Sequence, residues 1–149
     1  MSTPGLESIL HHMEVFHCDL PLDTEIPLWS GPCGSDTAPK VLGQCKKVLA
    51  AWAIGAGPFQ YPEEAGMAIG GEDFNPYVML EVHYNNQEKV AGLRDHSGMR
   101  FLVTEELREH DAGIMEIGLI YTPDMAIPPH MEEFKLSGYC SPECTAVVS

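Results

Sequence analysis

Basic residues are scarce: 8 Lys+Arg stand against 22 Asp+Glu, for a net charge of −14. The few that occur form no cluster. Such a chain repels phosphate backbones, which excludes nucleic acid as a partner. Long apolar runs are lacking too. The longest mostly apolar stretch, Val48 to Gly57, falls well short of the roughly 20 residues that cross a bilayer, so no membrane span is expected. Met1 to Leu10 has neither a basic start nor an apolar block, and no signal peptide is expected there. There is no Asn-x-Ser/Thr sequon for glycosylation, no internal repeat, no low-complexity tract and no His-x-His pair.

What is present reads as one globular domain. The chain has 149 residues, 44% hydrophobic and 20% charged, enough for a single core and too much apolar content for disorder. Short segments rich in Val, Ile, Phe, Tyr and Leu, bounded by Gly, Pro, Asn or Asp, predict strands at Ile9–Phe16, Tyr77–Tyr84, Met99–Thr104, Ile114–Tyr121 and Glu133–Tyr139. Only Cys45–Ile54 has helical character, ended by Gly55 and Gly57. Irregular connections fall at 19–40, with Pro21, Pro27, Pro32 and Pro39, and at 62–76. Strands without alternating helices predict an all-β antiparallel sandwich in a single domain.

Five cysteines is an odd number, so a free thiol, an intermolecular bridge or a partner outside this sequence is expected. Cys140 and Cys144 lie close together, whereas Cys18, Cys33 and Cys45 flank the Pro- and Gly-rich loop. Cysteines bounding loops suggest an oxidising compartment. With no signal peptide in view, the expectation is an internal piece of a longer secretory protein.

Seven histidines against eight Lys+Arg is a high share. His11 and His12 interrupt one apolar strand pattern and His83 interrupts another. Imidazole buried in an apolar strand is costly unless it is hydrogen-bonded or metallated. A lone His83 reads most simply as a satisfied core histidine, but adjacent imidazoles are hard to explain by packing. Neighbours on a regular strand point to opposite faces, so His11 and His12 reach one ion only if the backbone bulges there. Three nitrogens suit copper cycling between its two oxidation states or an open zinc site, and spacing does not choose. His17 is a substitute ligand at the strand end; His96, His110 and His130 read as solvated. Glu81 shares the face of His83 and is placed to orient its imidazole, or else faces solvent. Met13, Trp52 and Tyr61 read as packing.

The run His11-His12-Met13-Glu14-Val15-Phe16-His17-Cys18 resembles the copper type II ascorbate-dependent monooxygenases. The likeness continues through Trp52-Ala53-Ile54-Gly55, Tyr61-Pro62-Glu63-Glu64-Ala65-Gly66 and Leu80-Glu81-Val82-His83-Tyr84. It resumes at Asp111-Ala112-Gly113-Ile114-Met115-Glu116, Met125-Ala126-Ile127-Pro128-Pro129 and Gly138-Tyr139-Cys140. Within the family the chain is most similar to the enzymes that hydroxylate phenylethylamines such as tyramine and dopamine. Phe74-Asn75-Pro76-Tyr77 and His17-Cys18 lean toward the invertebrate tyramine branch.

The resemblance implies two jelly-roll-like β-sandwich domains with one copper each, and it places residues 1–149 in the first, the second being absent. It implies His11, His12 and His83 as copper ligands with an electron-transfer role, ascorbate as electron donor, and an amine and dioxygen as co-substrates. The second copper domain of the full-length chain is the implied partner, and no catalytic residue is expected here. A Cys18–Cys45 disulfide is implied, with Cys33 paired upstream of Met1 and Cys140 and Cys144 bridged into the second domain. The implied location is a secretory vesicle lumen or the extracellular space. The competing reading is a stand-alone copper-binding or extracellular interaction module without catalysis. A zinc hydrolase is more distant, for want of a well-placed catalytic carboxylate.

Overall fold

The computed structural model describes residues 5–6, 8–115, 118, 122–139 and 141–146. The chain divides into two compact units, Met1–Ile114 and Met115–Ser149. The first unit is built on strands β1 (Leu10–His17), β2 (Lys47–Ala53) and β4 (Val78–Tyr84), hydrogen-bonded antiparallel in the order β2-β1-β4. A two-residue parallel pair joins β3 (Ala65–Gly66) to β5 (His110–Asp111), held in place where Arg108 donates to the Glu63 carbonyl at 2.7 Å. The second unit contains a 3-10 turn at Pro123–Met125 and a single helical turn, Pro142–Thr145. The expected all-β, antiparallel class is what the chain adopts.

The central strand β1 owes its position to its apolar face. Leu10, Met13 and Val15 are buried, and His17 closes the row. Leu10 and Met13 are three apart, one residue more than the pleat allows for a shared face. The pairing with β4 shows how both are accommodated. Leu10 lies opposite Tyr84 and His12 opposite His83, so His11 is an extra, unpaired residue. The bulge expected at 11–12 is there. The same strand also shifts register against β2 between Val15 and Phe16.

On the other face of β1 the rungs run His12–His83, Glu14–Glu81 and Phe16–Met79. Beyond Phe16 and Met79 lies a small core cluster of Cys18, Ile26 and Cys45, flanked by Leu20, Val41, Leu42 and Tyr77. Its centre is the Cys18–Cys45 disulfide, with an S–S distance of 2.02 Å. This is the pairing that the family resemblance implies. A 3-10 turn at Lys40–Gln44 delivers Cys45 to it.

Three local expectations are corrected. Residues 47–53 form β2 and not a helix, because pairing with β1 overrides the helical preference of Ala50 and Ala51. Met99–Thr104 is not a strand: Leu102 and Val103 stand almost fully exposed, and no neighbouring strand among the described residues supplies a ladder. Glu133–Tyr139 likewise has no ladder among the described residues. Of Ile114–Tyr121, residues 114 and 115 are irregular, and most of the rest lies outside the described residues.

Candidate metal centre

The bulge turns His11 toward its neighbour. The Nδ1 atoms of His11 and His12 approach to 2.7 Å, with ring planes at 69°. Ile54 on the other side donates its N–H to the His11 carbonyl, which anchors the bulged residue. His12 in turn stacks on its cross-strand partner His83, with centroids 4.2 Å apart and planes 18° from parallel. Three imidazoles thus converge at one end of the β1–β4 ladder. Two Nδ1 atoms at 2.7 Å make a hydrogen bond only when one ring donates. With both unprotonated there, the lone pairs converge on a cation.

Carboxylates line the rung below. Glu81 Oε1 accepts from His83 Nε2 at 2.6 Å, which fixes the tautomer and leaves Nδ1 of His83 as the free donor atom. Glu14 Oε2 lies 3.7 Å from His12 Nε2. Among the described residues, the set whose ligand atoms all lie within 4.8 Å of one another is His12, Glu14 and His83. His11 reaches that set through His12. All of these side chains are partly open to solvent.

Sequence reasoning found His11, His12, His83 and Glu81, and the structure brings all four together. It missed Glu14, although the same two-residue spacing that puts Glu81 beside His83 puts Glu14 beside His12. It also missed the neighbour of Cys33. This thiol is free and exposed; desolvation, then the charge of and hydrogen bond to Glu81, push its pKa up.

His17 is elsewhere. It is buried on the opposite face and its Nε2 donates to the Asn75 carbonyl at 2.6 Å, so it closes the core. Asn75 in turn accepts the Tyr77 N–H through its side chain. Met13 is core, Trp52 donates to the Ala56 carbonyl and Tyr61 to that of Leu49. His96, His110 and His130 are exposed. No helix among the described residues is long and apolar enough to cross a membrane.

A bulged antiparallel sheet that gathers imidazoles and carboxylates at one end defines a metal-centre protein of borderline donor set, suited to copper or zinc. The comparisons narrow this class. The family model "Copper type II ascorbate-dependent monooxygenase, N-terminal domain" matches residues 1–91, and that of the C-terminal domain matches 110–149. The chain belongs to the copper type II ascorbate-dependent monooxygenases. The second match falls on a stretch that the sequence reading placed with the first domain.

The chain is 54% identical to dopamine beta-hydroxylase of Bos taurus and 52% identical to that of Homo sapiens, in each case over 96% of this chain and 23% of the relative. Tyramine beta-hydroxylase of Caenorhabditis briggsae is 50% identical over 96% of this chain and 24% of its own length. The chain therefore spans about a quarter of the curated relatives it matches. Copper is the ion the family implies, and three neutral imidazoles suit it in both oxidation states.

Proposed function

We propose that His11, His12 and His83 hold the electron-transfer copper of an amine β-monooxygenase. The bulge carries the reading: it places an extra residue at the one position where two adjacent histidines need to face a third. A copper held there would supply one-electron redox chemistry between ascorbate and a second copper domain, in the service of hydroxylating the benzylic carbon of a phenylethylamine. The chain's own residues supply the frame. His11 and His12 present nitrogens from one strand and His83 from the next. Glu81 holds the proton on His83 Nε2, so the imidazole offers Nδ1 and acts as no general base. The open face of the sheet leaves room for a small reductant to approach.

The names of the relatives support tyramine and dopamine alike as the substrate class. The Cys18–Cys45 bridge supports an oxidising location, a secretory vesicle lumen or the extracellular space. In this reading Cys33 pairs with a cysteine outside the sequence. Cys140 and Cys144, which lie in the stretch matched by the C-terminal domain model, bridge to further cysteines of that domain.

Copper loading of the wild type beside His83→Ala tests the site. About one copper per wild-type chain, with nitrogen-dominated X-ray absorption, and a loss of at least about tenfold in affinity for the variant are expected. Equal loading of the two would remove His83 from the site and move the non-catalytic module reading forward.

A further inference from the structure

Of the three histidines, His11 is the one that the β1–β4 ladder skips. With no partner on β4, its position depends on what holds its own peptide. That hold comes from just past the end of β2, where Ile54 donates its N–H to the His11 carbonyl at 3.3 Å. Ile54 is the second residue of a tight turn, closed by the Ala56 N–H on the Ala53 carbonyl at 2.9 Å. Gly55 sits third in this turn at φ +88°, as the third position of a type II turn requires. The Trp52 indole spans the turn and donates its Nε1–H to the Ala56 carbonyl at 2.9 Å. Trp52 is itself fixed by the ladder, opposite the buried Met13. The run Trp52-Ala53-Ile54-Gly55 therefore ends on the bulged histidine.

We propose that Trp52 and Gly55 are positioning residues for the copper site: they hold the Ile54 N–H where it fixes the His11 peptide, and with it the imidazole beside that of His12. The inference rests on the copper reading above. A bulged residue is left out of the pairing that sets the backbone direction of its neighbours. With the Ile54 N–H turned away, the His11 peptide is free to rotate and its exposed side chain to swing into solvent. His12 and His83 stay, because their rung belongs to the ladder. The site then offers two imidazoles in place of three. Neither Trp52 nor Gly55 touches the ion; both act through the backbone of Ile54. A Cβ added at Gly55 would meet nothing within 4 Å, so Gly55→Ala alters the backbone preference alone. Asn tolerates the positive φ that Ala resists, so Gly55→Asn keeps the turn.

The test uses Cu(II) alone, in a Cys33→Ser background that removes the free thiol. Chelator competition gives the affinity and X-ray absorption the number of bound imidazoles. Hydrogen exchange of the copper-free chain reports on the Ile54 amide. The variants are Gly55→Ala, Gly55→Asn, Trp52→Phe, His83→Ala and Gly71→Ala. Gly71, at φ +78° with equally open space around it, matches the strain of Gly55 in the 62–76 loop. Gly55→Ala and Trp52→Phe should each bind about tenfold more weakly, through two imidazoles, with faster Ile54 exchange. Gly55→Asn should restore wild-type binding, and Gly71→Ala should keep it. Wild-type affinity with three imidazoles in Gly55→Ala or Trp52→Phe overturns the role of that residue, while a weakened His83→Ala upholds the copper site. An equal loss in Gly55→Asn or Gly71→Ala also overturns the proposal, since the effect is then one of general stability. If His83→Ala binds like wild type, the copper reading falls and the proposal with it. Should Gly55→Ala or Trp52→Phe not fold, the wild type decides: an Ile54 amide that exchanges as fast as an open loop overturns the role of the turn.

Discussion

Tyr84 follows His83 and ends β4, where its hydroxyl donates to Asp95 at 2.7 Å. Desolvation first, then the hydrogen bond and charge of Asp95, raise the phenol from 10.0 to about 12. The folded chain therefore resists ionising this group more than the unfolded chain does. Its contribution to stability is complete below pH 10 and is lost as pH rises toward 12. Urea denaturation across that window should show a steeper decline for wild type than for Tyr84→Phe. Absorbance at alkaline pH should show a late-ionising phenol whose pKa Asp95→Asn lowers in part, leaving the share due to burial. An absorbance titration unchanged by Tyr84→Phe above pH 10 would contradict this. Single residues were also where the sequence was most readable. His12 and His83 were legible because imidazole in an apolar strand demands an explanation. Glu14 was legible in principle, but a carboxylate two positions from a histidine is too common to notice until the cross-strand register sets it opposite Glu81.

At the scale of the element, β1 carries both the core face and the site, and the bulge reconciles them. Leu10, Met13 and Val15 share a face only because His11 is skipped in the ladder. Deleting His11 would leave Leu10, His12 and Met13 in plain alternation with the existing register. The expected result is a chain that keeps its β1–β4 amide protection in hydrogen exchange and loses its copper affinity. Loss of the sheet itself would show that the bulge is needed for folding. The spacing of Leu10 and Met13 announces this bulge in the sequence. The identity of β2 was not so announced. Ala50 and Ala51 favour a helix locally, and only the antiparallel partner across from Val15 and Glu14 makes them strand. Met99–Thr104 failed for the converse reason, since β-favouring side chains without a neighbour have no ladder to join.

Across the first unit as a whole, little is fully buried, and the sheet depends on a covalent tie. The Cys18–Cys45 bridge closes a separation of 27 residues, worth about 3 to 4 kcal/mol in the loop-entropy account. A Cys18→Ser, Cys45→Ser double variant should lose about that much by denaturant titration. A loss below about 1 kcal/mol would show that the Phe16, Met79 and Ile26 packing suffices without it. The all-β class was readable from composition and strand signals. The boundary between the two units at Ile114 carries no Gly- or Pro-rich linker in the sequence.

The bulge also has a meaning for the gene. Whether this strand presents a second imidazole beside His12 turns on one codon, because the ladder on either side of His11 is already in register. If the sheet survives that deletion, a metal centre of this kind is gained or lost in a single in-frame step. Within a lineage of such chains, copper binding would then switch in one step rather than fade through successive ligand substitutions.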